Sequence, residues 1–132
     1  MYTVSKILRY QATRDVEIHN ENTGTKDVCF DDSALVSLNN FDFMEEGKAY
    51  DCRVKLFGDF VESKTDSCCE VRITKPSVFI GKREMIEVKI ADDIYYIPMA
   101  KANNIDVNDR LFFKYSRKDL IQVDDVIHND YL

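Results

Sequence analysis

Two stretches of this chain are written alike, and they restrict its fold more than any other feature. One runs Glu46-Gly47-Lys48-Ala49-Tyr50-Asp51-Cys52-Arg53-Val54-Lys55-Leu56-Phe57-Gly58-Asp59; the other is Val107-Asn108-Asp109-Arg110-Leu111-Phe112-Phe113-Lys114-Tyr115-Ser116-Arg117-Lys118-Asp119. Each opens on a turn signal, alternates apolar with polar or charged residues, and closes on charge before a second apolar run. Half-buried strands of a small antiparallel sheet are written this way, because successive side chains of a strand point to opposite faces.

The same alternation recurs along most of the chain. Val16 and Ile18 alternate with Asp15, Glu17 and His19; Glu21-Asn22-Thr23-Gly24 is a turn, and Val28 and Phe30 follow. Asp31-Asp32-Ser33 precedes Ala34-Leu35-Val36-Ser37-Leu38 and supplies capping oxygens for a short helix over 33–38. Tyr50, Cys52, Val54 and Leu56 share one face, and 58–67 reads as a polar loop. Cys69, Val71 and Ile73 point inward until Pro76 breaks the ladder. Residues 84–99 form the clearest hairpin: a loop at Asp92-Asp93 places Ile90 opposite Tyr95 and Val88 opposite Ile97. Ile86, Val88, Ile90, Tyr95, Ile97 and Met99 then lie on one face, with Glu87, Lys89 and Tyr96 on the solvent face. Residues 110–115 and 120–127 read as a last hairpin, turning at Arg117-Lys118-Asp119.

Eight or nine strands and one short helix predict a mainly β protein: a single domain over 1–132, folded as a small antiparallel barrel or sandwich. The strand spacing resembles compact partly open barrels of the oligonucleotide/oligosaccharide-binding or SH3-like pattern, a resemblance that implies no function. At 132 residues the chain is long enough to bury a core, and four Gly and two Pro leave no linker-like stretch.

Charge narrows the partners. The net charge is −6, with 8 Lys and Arg against 13 Asp and Glu in residues 1–66, and 10 against 11 in residues 67–132. An acidic chain is repelled by phosphate backbones, and the longest basic runs are Lys82-Arg83 and Arg117-Lys118, so nucleic acid is a disfavoured partner. No segment has the build of a signal peptide or of a membrane span, which predicts a cytoplasmic protein that does not engage a membrane.

The chemistry-bearing residues are sparse. Cys68 and Cys69 are adjacent in a strand and point to opposite faces, and Cys29, Cys52, Cys68 and Cys69 lack zinc-ligand spacing. Cys52 and Cys69 read as buried thiols and Cys68 as the exposed one. His19 and His128 lie in no catalytic motif and read as solvated surface histidines. Asp31-Asp32 reads as a cap, Asp92-Asp93 as a turn, and Asp124-Asp125 as straddling a strand. No catalytic residue, metal ligand or cofactor site is predicted. Phe57 and Phe112 break the inward-apolar rule on their strands; they are either covered from outside or exposed anchors for a partner. With Asp124 and Asp125 they form the predicted partner-binding set. The function this favours is a non-catalytic protein-binding module, acting as an acidic inhibitor or immunity-type protein on a basic partner. The alternatives are an oligonucleotide-binding-like or adaptor domain, and a small enzyme with a dispersed carboxylate and histidine site.

Overall fold

The computed structural model of the chain describes residues 1–62, 67–103, 105–106 and 110–132. It is mainly β, with one sheet of ten strands. Three strands open the chain as a meander: β1 (Tyr2–Arg9), β2 (Arg14–Asn20) and β3 (Lys26–Asp31). The short helix α1 (Ser33–Val36) follows, then β4 (Ala49–Tyr50), β5 (Cys52–Val61), β6 (Cys69–Ile80), β7 (Arg83–Ile90), β8 (Asp93–Pro98), β9 (Leu111–Val123) and β10 (Val126–Ile127). Two 3-10 turns, Met99–Ala102 and Asn129–Tyr131, complete it.

The strand order is β4-β1-β2-β3-β9-β5-β8-β7-β6, and β6 also pairs with β9. The pairings therefore run in a circuit, β9-β5-β8-β7-β6-β9, with the meander attached to β9. The sheet is mixed where an antiparallel one was expected. Single parallel pairs, Phe30↔Asp119 and Lys55↔Tyr96, join β3 to β9 and β5 to β8.

The two look-alike stretches turn out to be the paired strands β5 and β9, aligned from Cys52↔Val123 to Val61↔Phe112. Here the expected last hairpin is overturned. Residues 117–119 lie inside β9, because their charges find partners within the protein: Lys118 Nζ donates to Asp27 Oδ1 at 2.5 Å and Arg117 pairs with Asp119. The turn comes instead at Asp124, whose φ is 51°. Its backbone N–H donates to Asp51 O, and its Oδ1 accepts from Asp51 N–H. Two register shifts let the long pair curl, between Arg53 and Val54 and between Phe57 and Gly58. Gly58 has no alternative there, since an added Cβ would stand 1.9 Å from Lys114 O.

Other expectations shift in informative ways. The β7–β8 turn is Ala91-Asp92, with Val88↔Tyr95 and Ile86↔Ile97, so the pairing slides by two residues and every side chain keeps its face. Asp93 is needed as a strand residue. Its carboxylate accepts from Thr23 Oγ1 and Thr25 Oγ1, each at 2.6 Å, and ties the hairpin to the β2–β3 turn. Pro76 does not end β6; it lies within the register shift between Lys75 and Val78, where its missing donor breaks no ladder pair. β5 extends to Val61 instead of giving way to a loop at Gly58. The segments Ser63-Lys64-Thr65-Asp66 and Val107-Asn108-Asp109 lie outside the described residues. The helix is shorter than the expected 33–38, and its N-cap residue Asp32 makes no side-chain cap hydrogen bond; Asp31 Oδ1 instead accepts from Ser33 N–H and Ser33 Oγ just ahead of it.

Two cores result. The larger gathers the inward faces, among them Val4, Val16, Ile18, Val54, Leu56, Val88, Ile97, Phe113 and Leu120. The smaller lies on the outside of the β7–β8 hairpin, where Ile80, Met85, Tyr96, Ile121 and Tyr131 pack under the chain's last turn. The expected solvent face of that hairpin is thus buried in part: Lys89 stays half-exposed, but Tyr96 is covered, and so is Glu87, which accepts from Tyr96 OH and from Thr74 Oγ1. Gly81, at φ +57°, admits the final turn against β7, since a Cβ there would meet Tyr131 O at 2.0 Å. Lys82 N–H donates to that same oxygen.

Candidate functional site

The outer face of the β5–β9 pair carries the most distinctive grouping of side chains. Strand alternation places Lys55 and Phe57 outward on β5, and the register sets Asp119 and Arg117 opposite them. The parallel pair Phe30↔Asp119 brings an aromatic ring in from β3. The Arg117 guanidinium carbon sits 4.4 Å from the Phe30 ring centroid and 4.7 Å from that of Phe57. Its Nε and Nη2 donate to the two carboxylate oxygens of Asp119 at 2.5 and 3.1 Å. Lys55 Nζ lies 3.9 Å from Asp119 Oδ2 and 5.5 Å from the Phe57 centroid. Burial lowers the Lys55 pKa, while Asp119 pulls it back up. Phe57 itself is 47% exposed. An aromatic ring and a flattened guanidinium, both held by neighbours, make a preorganised contact surface.

Beside this patch is a small cleft of about 90 Å³, reached by Phe30, Lys55 and Arg117 on one side and by Asp32, His128 and Asp130 on the other. His128 is the site's only histidine, and it is 4% exposed, not the solvated surface histidine expected of a residue outside any catalytic motif. Its Nδ1 accepts from Asp130 N–H at 3.1 Å, so the ring proton sits on Nε2, which donates to Asp32 Oδ1 at 2.6 Å. Both ring nitrogens are occupied. The imidazole therefore pins the last turn to the start of α1 and has no lone pair left to take a proton from a substrate.

Buried Asp27 is closed off in the same way. Asp27 receives Lys118 on one oxygen and Tyr95 OH, at 2.6 Å, on the other. Lys118 Nζ also lies 5.0 Å from the ring centroids of Tyr95 and Tyr115. Burial drives the Cys29 thiol well above its ordinary range and pushes Cys52 up to about 12. Neither is a ready nucleophile, since the thiolate is the reactive form. Cys69 is half-buried instead of fully enclosed, and Cys68 is half-buried beside it.

Of the four predicted partner-binding residues, the structure places only Phe57 in this patch. Phe112 is 9% exposed, beneath the Arg110 guanidinium at 5.6 Å, and offers no anchor. Asp124 and Asp125 are exposed at the β9–β10 turn. Because Cys52 pairs with Val123 and Phe57 with Arg117, five residues of β5, roughly 16 Å, separate that turn from Phe57. Phe30, Arg117, Asp119 and His128 were missed as members of a site. The signal for two of them was present: once the look-alike strands pair with each other, Lys55 faces Asp119 and Phe57 faces Arg117. Comparison with protein-family models, curated proteins and solved structures found no match.

Proposed function

We propose that the chain is a non-catalytic protein-binding module that docks its partner on the Phe57 patch. The observation that carries this reading is the half-exposed Phe57 ring beside Arg117 and Phe30. Contact energy concentrates on aromatic and arginine side chains that are already held in place. The commitment of His128, Asp27, Asp31 and Asp93 to internal hydrogen bonds argues against the dispersed enzyme site. The acidic balance favours a basic partner. Asp32 and Asp130, whose side chains are 36% and 57% exposed, rim the patch, and the exposed Asp124 and Asp125 add negative charge at the distant β9–β10 turn. On this reading the strand circuit is a small barrel of the oligonucleotide-binding or SH3-like pattern in one domain, acting in the cytoplasm as an inhibitor or immunity-type protein without a cofactor.

A nucleic-acid reading has one observation in its favour, the interleaving of Phe30 and Phe57 with Lys55 and Arg117, as base-stacking surfaces are built. Against it, Asp119 already neutralises Arg117 and lies near Lys55, leaving little free positive charge for phosphates. The deciding experiment immobilises the full chain and its Phe57→Ala and Arg117→Ala variants and quantifies captured proteins with and without nuclease. A basic protein retained by the wild type, at least tenfold weaker on Phe57→Ala and indifferent to nuclease, is the expected outcome. Equal retention by all three would remove the patch from the interface, and nuclease-sensitive capture would install the second reading.

A further inference from the structure

At the far end of the meander, Arg14 opens β2 opposite Arg9 of β1 and Asp31 of β3. Its side chain is 4% exposed. Nε donates to Asp31 Oδ2 at 2.6 Å, and Nη2 donates to Phe41 O. Nη1 is buried and meets no acceptor among the described residues. A buried charged donor without an acceptor bears its full desolvation cost, so it is a rare arrangement that calls for a reason.

Arg14 lines a cleft of about 170 Å³ together with Arg9, Tyr10, Ala34, Asp31 and Asp42. At about 30 Å³ per water, that is space for a small organic anion or the end of a peptide. Asp31 is spent, with one oxygen on Arg14 and the other on Ser33 N–H and Oγ. The Arg9 side chain has no ion pair among the described residues. Its backbone pairs with Arg14, so a second guanidinium stands at the same mouth. The turn beside the cleft is held by a backbone hydrogen bond from Tyr10 N–H to Thr13 O and by Tyr10 OH, which donates to Asp15 Oδ2 at 2.9 Å, whereas the exposed Arg9 and Gln11 side chains make no side-chain hydrogen bond among the described residues and can shift to admit an acceptor.

We infer that this cleft is a carboxylate-binding subsite, in which Arg14 Nη1 and Arg9 donate to the oxygens of one carboxylate. Guanidinium forks match carboxylate geometry, and Nη1 of Arg14 is the donor that such a group would satisfy. The site lies apart from the Phe57 patch and does not depend on the reading of that patch. A free small acid and a peptide C-terminus present the same group, so both belong in the test.

The experiment is a ¹H–¹⁵N NMR titration of the full chain with acetate, acetamide and N-acetylglycine at constant ionic strength. It follows the arginine Nε–Hε signals and the backbone amides of 9–14. Saturable shifts with acetate, at least tenfold tighter than with acetamide and at least tenfold weaker in the exposed-site variant Arg9→Gln, are expected. N-acetylglycine binding tighter than acetate would identify a chain terminus as the natural source; equal binding would identify a free acid. Shifts that fail to saturate, match those from acetamide, or persist in Arg9→Gln would overturn the inference. Arg14→Lys serves as a second variant. It keeps the charge beside Asp31 but lacks the fork, so its loss of acetate shifts with an otherwise preserved spectrum supports the assignment, and retention of them counts against it.

Discussion

The inner face of the β7–β8 hairpin and the covered part of its outer face are buried by different means. Ile86, Val88, Tyr95 and Ile97 face the large core, and the alternation of the sequence announces them. Met85 and Tyr96 face outward, amid residues written as a solvent face, yet they are covered by Tyr131 and Ile121 of the returning C-terminal segment. The first face is a property of the strands. The second is a property of the chain's path, and local periodicity carries no trace of it.

The largest effect that would test this contrast is on the inner face. Val88→Asp places an unpaired carboxylate at a fully enclosed position, at a cost of about 4 kcal/mol or more, enough to unfold most of the protein in a urea melt. Tyr131→Ala empties the outer core from its rim and is expected to cost about 3 kcal/mol while leaving the strand circuit folded by circular dichroism. If the two variants unfold alike, the cores are one cooperative unit and the distinction fails.

Alkali gives a gentler probe of the outer face. Burial pushes both Tyr96 and Tyr131 up to about 12 from an ordinary value of 10. The folded state holds these protons more tightly than the unfolded chain, so their contribution is complete below pH 10 and is lost as pH rises through 12. Melting temperature should therefore fall between pH 10 and 12, and Tyr131→Phe should reduce that fall. Smallest of all is Lys89→Asp, at a half-exposed outward position beyond the reach of the last turn. Arg72 sits directly across from it, so the new charge finds an opposite partner and stability should change by no more than about 0.5 kcal/mol.

What the sequence made legible follows the same division. The inward residues of β5 and the inward faces of β7 and β8 were readable because each depends on neighbours within a few positions. The charged triplet Arg117-Lys118-Asp119 misled, since charge in a β pattern usually marks a solvated turn; here Asp27, Phe30 and Phe57, all remote in sequence, receive it. His128 misled for a similar reason. Its burial depends on Asp32, which lies 96 residues away. Phe57 was recognisable as an outward aromatic, while its companions at the patch became visible only through the pairing of β5 with β9.

That pairing also sets the tempo of folding. β9 touches β3, β5, β6 and β10, so one late strand is the shared partner of segments spread over the whole chain. Until it arrives, the β5 and β6 edges that it occupies are unpaired and open to other chains. Most of the close contacts link residues far apart in sequence, and loop closure must be met before those contacts repay it. Topologies this rich in non-local pairing fold in milliseconds to seconds instead of microseconds, and any state in which residues 111–123 are undocked leaves those edges exposed.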